Sequence, residues 1–379
     1  MKRFLIILSL SYGCLFSFAQ QTINGSIIHD GTSRSFILYV PASYTGNQSV
    51  PLVMNFHGYT SNANEQMFYG DFRPIADTAG FLVVHPQGTL FNGNTHWNVG
   101  GWTVGSTVDD VDFVNNLLDS LANDYNIDSK RIYSTGMSNG GYMSFLLACQ
   151  LSDRIAAVAS VTGSMTPQTY DACDPQHPTP VMQIHGTTDA VVPYNGAIWT
   201  RSISDVIQYW TDYNNCDNSP LSSSLPNANP SDGSTVEVFQ YDNGDRESKV
   251  IHYQVDNGGH TWPGTPFNGN GNTNQDFQAS EVIWAFFLRY DLDGLNGLAT
   301  SGPLEELPTI HLYPNPSGEL LRLKKTFSEA KNYEILNLNG QRILTAELAA
   351  GTQEINLTNL PEGMFLLSID GQTFRFVKK

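Results

Sequence analysis

Three things are scarce in this chain of 379 residues: cysteine, basic side chains and long apolar runs. After the first twenty residues, no apolar run reaches the ~18 residues that a transmembrane helix needs, so no transmembrane segment is expected. The 19 basic against 36 acidic residues give a net charge of −17. Nearly all of that excess precedes residue 305, because residues 305–379 hold 8 basic and 9 acidic side chains. Such a negative field argues against nucleic acid as a partner and fits a neutral substrate.

The sequence also lacks the motifs of two kinds of cofactor site, a zinc site and a phosphate-binding loop. No cluster of histidine, cysteine and carboxylate residues has the spacing of a zinc site, and no glycine-rich loop has the form that cradles phosphate. The acidic, glycine-containing segment from Asp291 to Gly297 lacks the ligand spacing of an EF-hand loop. The sequence therefore predicts chemistry that needs neither a metal nor a cofactor.

The amino terminus has the pattern of a secretory signal peptide. Lys2 and Arg3 precede the apolar run 4–10, and Ser17-Phe18-Ala19 offers a small-x-small cleavage site. We predict a signal peptide over residues 1–20 and exclude it from the fold. Export also permits disulfide bonds.

The mature chain keeps Cys149, Cys173 and Cys216, which allow one bridge at most. Cys149 ends the apolar stretch 145–149, so we expect it to be a buried thiol. Cys173 and Cys216 lie in polar, loop-like sequence, and a bridge between these two is the pairing that we predict.

From about residue 34, short apolar runs alternate with longer helical patterns. Several of these runs are nearly continuous stretches of β-branched or aliphatic residues, which is typical of parallel strands buried on both faces. The predicted strands cover residues 35–40, 52–57, 81–85, 131–134, 156–161, 181–185 and 249–255, and the predicted helices cover 109–125, 140–150, 203–213 and 279–290. This succession predicts an α/β fold with a mostly parallel sheet covered by helices on both faces, over residues 21–290.

The pattern changes after residue 290. Glycine, aspartate and proline residues predict a linker over 291–308. Short strands follow over 311–313, 320–323, 333–337, 354–357 and 365–369. Asn339-Gly340 and Asp370-Gly371 are hairpin signals between them. Residues 309–379 are therefore expected to form a small all-β sandwich.

Gly136-Met-Ser138-Asn-Gly140 has the G-x-S-x-G form of a nucleophile elbow. The motif alone is weak in a chain with 33 glycines. Its setting is more specific, because it directly follows a predicted strand and opens a predicted helix. Flanking glycines allow the sharp turn that lifts a serine hydroxyl clear of the sheet. The alternative is an inert serine in a glycine-rich turn, and the setting favours Ser138 as a nucleophile.

A serine hydroxyl needs a base, and in this arrangement an acid and a histidine follow in that order, each just past a strand. Asp189 follows the strand 181–185, and apolar residues come directly after it. His260 lies in a glycine-rich loop beyond the last strand of the sheet. Its chief rival, His252, lies within that strand, where a core histidine is the commoner outcome. We predict a catalytic triad of Ser138, Asp189 and His260.

An acyl-transfer transition state needs two hydrogen-bond donors for its oxyanion. The backbone N–H of Asn139, immediately after the nucleophile, is one candidate. The second is the backbone N–H of Tyr59, because His57-Gly58 turns sharply after an early strand. A plain strand end at His57-Gly58 is the alternative.

Taken together, these motifs resemble the polyhydroxybutyrate depolymerase-like esterases, which are related to the feruloyl and acetylxylan esterases of carbohydrate esterase family one. The resemblance covers roughly residues 30–290, the length of one α/β domain. It depends on the following segments: His57-Gly58, Trp97-Asn98, Gly100-Gly101-Trp102, Val108-Asp-Asp-Val111, Gly136-Met-Ser-Asn-Gly-Gly141, His185-Gly-Thr-Thr-Asp189 and Gly258-Gly-His-Thr-Trp-Pro-Gly264. It implies an α/β-hydrolase fold and the same three triad residues.

The tail resembles the sorting domain of the type IX secretion system. The similarity depends on Leu312-Tyr-Pro-Asn-Pro316, Tyr333-Glu-Ile-Leu-Asn-Leu-Asn-Gly340, Leu360-Pro-Glu-Gly363 and the basic end Phe376-Val-Lys-Lys379. It implies that the type IX machinery is a partner. It also implies a protein that is secreted or attached to the outer surface once the signal peptide and tail are removed.

The substrate is less determined by the sequence. Trp262, Trp102 and Trp97 are predicted to contact substrate, whereas Trp199 fits the core better. The main hypothesis is a serine carboxylic ester hydrolase acting on feruloyl or acetyl esters of xylan. A polyhydroxybutyrate or other polyester depolymerase is the alternative with the same chemistry, and a peptidase fits less well. A surface carbohydrate-binding protein with a disused site is the alternative without catalysis.

Overall fold

The computed structural model describes residues 20–379 except 268, 297–311, 314–316, 324–325, 338–341 and 370–371. The chain divides into two compact units, Met1–Thr300 and Ser301–Lys379. All but the last residue of the predicted signal peptide lies outside the described residues. Within the described part of the chain, no helix combines the length and apolar character needed to cross a membrane.

The first unit is built of alternating strands and helices. Its strands are β1 (Gln21–His29), β2 (Thr32–Val40), β3 (Val50–Phe56), β4 (Leu82–Pro86), β5 (Thr89–Phe91), β6 (Asn94–His96), β7 (Ile127–Met137), β8 (Ala157–Val161), β9 (Val181–Gly186), β10 (Leu221–Ser224), β11 (Thr235–Tyr241), β12 (Val250–Asp256), β13 (Tyr290–Asp291) and β14 (Gly294–Leu295). Its helices are α1 (Ala63–Tyr69), α2 (Arg73–Ala79), α3 (Asp110–Asp124), α4 (Asn139–Gln150), α5 (Pro167–Asp171), α6 (Ile203–Tyr213) and α7 (Ala279–Phe287).

Ten of these strands form one sheet in the order β1-β2-β4-β3-β7-β8-β9-β12-β11-β10. The central strands from β4 to β12 pair in parallel, and the strands at both edges pair antiparallel. The central strands are mostly apolar and buried because both of their faces are covered; all five residues of β8 are buried, for example. The predicted mostly parallel α/β fold is confirmed.

Two neighbouring residues of β7 show that helices cover opposite faces of the sheet. The Tyr133 ring stacks on Phe287 of α7 with the ring centroids 4.8 Å apart. The next residue, Ser134, donates a hydrogen bond to Ser144 of α4 at 2.9 Å. Because successive side chains of a strand point to opposite faces, α4 and α7 lie on opposite sides of the sheet.

Strands β3, β7, β8, β9 and β12 are neighbours and run in one direction. Their carboxyl ends therefore meet along one edge of the sheet. Loops at this edge are the usual place for a ligand site in parallel α/β sheets. The predicted triad and oxyanion residues follow β3, β7, β9 and β12, so the topology gathers them at this edge.

The cysteine prediction was wrong. Cys149 and Cys173 form the disulfide, with their Cα atoms 4.7 Å apart, and Cys216 is a buried free thiol. Cys149 is buried as expected, but it lies at the end of α4, and α5 packs against α4 and brings Cys173 to it. Cys216 belongs to the hydrophobic core instead. Polarity of the flanking sequence could not reveal this pairing.

The predicted start of the linker was also wrong. Residues 290–295 form the hairpin β13-β14, and β13 contacts β7 of the first unit. The Leu292 N–H donates to the Lys130 carbonyl at 3.0 Å. These residues are therefore part of the first unit, and residues 297–308 of the predicted linker lie outside the described residues.

The second unit consists of strands in two sheets. Its strands are β15 (Leu312–Tyr313), β16 (Leu320–Leu323), β17 (Lys331–Leu336), β18 (Arg342–Leu348), β19 (Glu354–Asn356), β20 (Gly363–Ile369) and β21 (Gln372–Lys378). They form a three-stranded sheet, β15-β16-β19, and a four-stranded sheet, β18-β17-β20-β21. Leu321 of the smaller sheet and Leu367 of the larger sheet belong to one buried core, so the two sheets pack as the predicted sandwich. The predicted turns at 339–340 and 370–371 lie outside the described residues.

Candidate active site

Ser138 occupies a strained turn between β7 and α4. Its φ of 54° and ψ of −121° place a residue with a side chain in a conformation that normally favours glycine. The glycines on either side allow the turn to approach β3. A Cβ on Gly140 would lie 2.1 Å from the carbonyl oxygen of Phe56, and one on Gly136 would lie 2.6 Å from the same atom. The partly exposed Ser138 hydroxyl is thus held where the sequence motif places a nucleophile.

Asp189 lies in the turn after β9 and is 5% exposed. Its Oδ1 accepts hydrogen bonds from the N–H groups of Val191 and Val192, both at 2.8 Å. Its Oδ2 lies 2.7 Å from Nδ1 of His260. Burial, the largest single cause, raises the pKa of Asp189, but the interactions with His260, His185 and the Val192 N–H together outweigh it, and the net pKa lies below the ordinary value. Asp189 is therefore ionised at neutral pH and can hold a proton on Nδ1 of His260.

His260 is positioned by the backbone of its own loop. Its N–H donates to the carbonyl of Asn270 at 2.7 Å. A Cβ on the preceding Gly259 would lie 2.5 Å from that same carbonyl oxygen, so the close approach requires glycine there. With Nδ1 bound to Asp189, Nε2 of His260 is the nitrogen that remains to accept a proton.

The structure brings Asp189 and His260 into contact, but it does not join His260 to the serine. Within the described residues, the Oγ atom of Ser138 makes no hydrogen bond. Nucleophile–base contacts are often long in enzymes without substrate and shorten in the reacting complex. The side chains stand at the same edge of the sheet, after β7 and β12.

His185, at the end of β9, is a contact of Asp189 that the sequence analysis did not assign. Its Nδ1 lies 3.1 Å from the side-chain nitrogen of Gln183, which donates to it. Nε2 therefore carries the proton and faces the Val192 carbonyl at 2.9 Å and Asp189 Oδ2 at 3.4 Å. Burial lowers the pKa of His185 to about 4, so the ring is a neutral donor beside the carboxylate. A histidine inside a buried strand gives no sequence signal for such a role.

The two predicted oxyanion donors border the nucleophile. Asn139 is the first residue of α4, where backbone N–H groups have no partner within the helix. Among the described residues, neither the Asn139 N–H nor the Tyr59 N–H has an acceptor. A Cβ on Gly58 would lie 3.4 Å from Cβ and 4.0 Å from Oγ of Ser138, so the Gly58-Tyr59 turn lies against the serine.

Burial contradicts two of the predicted substrate contacts. Trp97 is 0% exposed and Trp262 is 2% exposed. Trp262 packs on Gly70, where a Cβ would lie 3.0 Å from the indole, and its Nε1 donates to Ser280 at 3.2 Å. Both tryptophans are buried beneath the loops of the site and pack against them, so they cannot stack on a ligand.

Trp102, by contrast, is partly exposed and belongs to an aromatic wall formed with Tyr59, Tyr142 and Trp199. Its ring centroid lies 4.9 Å from Tyr142, 5.1 Å from Trp199 and 6.4 Å from Tyr59. Trp199 was expected to belong to the core; it packs against the main hydrophobic core but is also partly exposed. The wall includes Tyr59, whose backbone N–H is one of the two predicted oxyanion donors.

Two family models match the chain. The model described as esterase PHB depolymerase matches residues 34–209. The model described as secretion system C-terminal sorting domain matches residues 311–379. The first match includes Ser138 and Asp189 and ends before His260.

Curated relatives match a longer part of the chain. It is 26% identical over 299 residues to a bifunctional acetylxylan esterase/xylanase of Neocallimastix patriciarum, covering 78% of this chain and 38% of that protein. It is 29% identical over 255 residues to feruloyl esterase B of Piromyces equi, covering 64% of this chain and 44% of that protein. The chain thus spans about two fifths of the length of these two relatives.

A solved structure, an acetyl xylan esterase from Aspergillus awamori, is similar with a TM-score of 0.51 at 15% identity. The similarity covers 71% of this chain and 98% of the other. At this identity it shows the shared α/β-hydrolase fold.

Proposed function

Because the chain contains an esterase domain of the PHB depolymerase type and a C-terminal secretion sorting domain, we propose that it is an exported serine carboxylic ester hydrolase. Its proposed substrates are feruloyl or acetyl esters of xylan. The observation that carries the proposal is the 2.7 Å contact between Asp189 and His260, at the sheet edge where Ser138 occupies its strained turn.

In the proposed reaction, Oγ of Ser138 attacks the ester carbonyl while Nε2 of His260 takes its proton. The ionised Asp189 stabilises the imidazolium that forms. The negative charge that develops on the carbonyl oxygen is held by the backbone N–H groups of Tyr59 and Asn139. As the tetrahedral intermediate collapses and its bond to the sugar oxygen breaks, His260 gives the proton to that oxygen. The sugar leaves as a free hydroxyl, and the acyl group stays on Ser138. Water, activated by the same histidine, releases the acid and restores the serine.

Three observations support xylan-linked esters as substrates. The curated relatives described above are named as acetylxylan and feruloyl esterases. The aromatic wall at Trp102 and Trp199 offers partly exposed rings beside the proposed oxyanion site, and such rings stack on a feruloyl group or a sugar. The net charge of −17 suits a neutral polymer.

A polyester depolymerase is the second candidate, and the matched family description favours it. The chemistry is the same, because hydroxybutyrate polymer is also a chain of carboxylic esters. Only the acyl group and the leaving alcohol differ. A substrate panel therefore separates the two candidates.

We further propose that the sorting domain directs the protein through the type IX machinery after the signal peptide has taken it across the inner membrane. Removal of the tail would leave the esterase domain outside the cell, where polysaccharide is found. Nucleic acid is not a proposed partner, because the protein carries a large negative charge.

Hydrolysis of p-nitrophenyl acetate by wild type and by Ser138→Ala tests the proposal. We expect kcat to fall at least ~10³-fold, as in other triad knockouts. Ser204→Ala, an exposed serine on α6, is the control and should retain full activity. Equal rates for wild type and Ser138→Ala would end the esterase assignment. Release of ferulate and acetate from arabinoxylan, compared with hydroxybutyrate from polymer, then identifies the substrate.

A further inference from the structure

We propose that Trp97 and His57 are positioning residues. They hold the two oxyanion donors, the backbone N–H groups of Tyr59 and Asn139, in place relative to each other. Trp97 hydrogen-bonds to the His57 carbonyl, just before the turn that carries Tyr59, and also to the side chain of Asn139. His57 sets the direction of the Gly58-Tyr59 peptide. This inference rests on the proposed function, since it concerns the same ester carbonyl.

The tautomer of His57 follows from its partners. The backbone N–H of Gly88 lies 2.9 Å from Nε2 of His57, and a backbone N–H can only donate. Nε2 is therefore the acceptor, and the ring proton is on Nδ1. Nδ1 lies 2.7 Å from the carbonyl oxygen of Gly58, to which it donates. Burial lowers the pKa of His57 to about 4, so the ring is neutral at pH 7 and this tautomer is fixed.

The hydrogen bond from His57 to the Gly58 carbonyl determines the direction of the Tyr59 N–H. The Gly58 carbonyl accepts from His57 and also from the Ser61 N–H at 3.2 Å. In a planar trans peptide the C=O and the following N–H point in opposite directions. The Tyr59 N–H is thus directed away from His57, and it has no acceptor among the described residues. An N–H held in this way is ready for a ligand oxygen.

Trp97 connects the turn that carries Tyr59 to Asn139. Its indole Nε1 donates to the His57 carbonyl at 3.0 Å. Its backbone N–H donates to Oδ1 of Asn139 at 2.7 Å, and its carbonyl accepts from Nδ2 of Asn139 at 3.1 Å. Asn139 is the residue whose own N–H is the second donor. A single buried residue therefore ties the turn that carries Tyr59 to the first residue of α4.

The position of Trp97 is itself well determined. Its ring packs edge-on to Phe56 with the centroids 5.0 Å apart, and it is 0% exposed. Donors fixed before the substrate arrives need no reorganisation when the oxyanion forms. Loosening them should weaken transition-state binding more than substrate binding. The expected signature is a lower kcat with KM nearly unchanged.

The first test is Trp97→Phe, which keeps a ring but removes the indole N–H. We expect kcat on p-nitrophenyl acetate to fall roughly 10-fold to 100-fold, because a misplaced donor costs rate steeply. Trp210→Phe is the matched control. Trp210 is also 0% exposed, and its Nε1 has no hydrogen-bond partner within the described residues, so only its ring size changes. The inhibition constant of a trifluoromethyl ketone, which forms an anionic tetrahedral adduct, should rise by the same factor as kcat falls.

The second test isolates the bond to Gly58. His57→Asn keeps an amide N–H near the position of Nδ1, whereas His57→Leu removes the donor; both lose the acceptor for Gly88. We expect His57→Asn to recover most of the kcat that His57→Leu loses. Thermal unfolding of each variant, followed by circular dichroism, identifies any that fails to fold.

The outcomes separate this inference from the proposed function. If wild type shows no hydrolysis that depends on Ser138, the proposed function fails. If wild type is active but Trp97→Phe matches Trp210→Phe within about twofold in kcat, the bridging role is overturned. A change in KM alone, or equal losses in His57→Asn and His57→Leu, would overturn it as well.

Discussion

Lowering the pH from about 6.5 toward 4 should destabilise the first unit. The perturbed groups are four buried histidines, His57, His85, His185 and His252, each no more than 5% exposed. Burial, the largest cause in every case, lowers their pKa values to about 4, 3, 4 and 4, respectively, from 6.5. The folded protein therefore keeps all four rings neutral at a pH where the unfolded chain protonates them.

The sign and size follow from linkage. Between pH 6.5 and 4 the unfolded chain binds protons that the folded chain does not, so stability is fully present above pH 6.5 and is lost as pH falls through this window. Each histidine contributes up to ~1.4 kcal/mol per pH unit. Together the four should lower the free energy of unfolding by about 5 kcal/mol between roughly pH 6 and pH 5. That loss is comparable to the whole stability of many domains.

Urea unfolding followed by tryptophan fluorescence at pH 7, 6 and 5 measures this loss. All 6 tryptophans precede residue 300, so the signal reports on the first unit. His252→Gln removes one titrating ring and should reduce the pH dependence by about a quarter. A free energy of unfolding that stays constant between pH 6 and 5 would refute the reasoning. So would a His252→Gln variant with the pH dependence of wild type.

Two further predictions concern covalent and steric constraints. Replacing Cys149 and Cys173 by alanine should lower the free energy of unfolding by about 3 kcal/mol, from the loop entropy of a bridge with a sequence separation of 24. Urea unfolding with Cys216→Ala as control measures it, and a wild type whose stability does not respond to reduction would contradict the bridge. Gly140→Ala should cost at least ~2 kcal/mol and most of the activity, because its Cβ would meet the Phe56 carbonyl at 2.1 Å. Unchanged kinetics and melting temperature in this variant would contradict the tight packing of the turn.

Much of the architecture could be predicted from local patterns in the sequence. Strands such as β8 and β9 are buried on both faces, so their mostly apolar sequences predict them regardless of their partners. The strand, glycine-flanked serine and helix around Ser138 are likewise contiguous in the chain. The edge strands β1 and β10 were missed, because most of their residues are exposed or half-buried and form no continuous apolar run. The roles of the triad residues stay predictions that Ser138→Ala tests.

The sequence by itself determined the order of the elements and which polar residues follow which strands, since both depend on neighbours along the chain. The tertiary structure alone decided that Cys149 pairs with Cys173, and that Trp97 lies under the site rather than in it. It also decided that His57 and His185 act as neutral donors, through partners such as Gly88 and Gln183. Each of these features is a contact between separate elements, and a side chain's burial or protonation depends on what the fold packs against it.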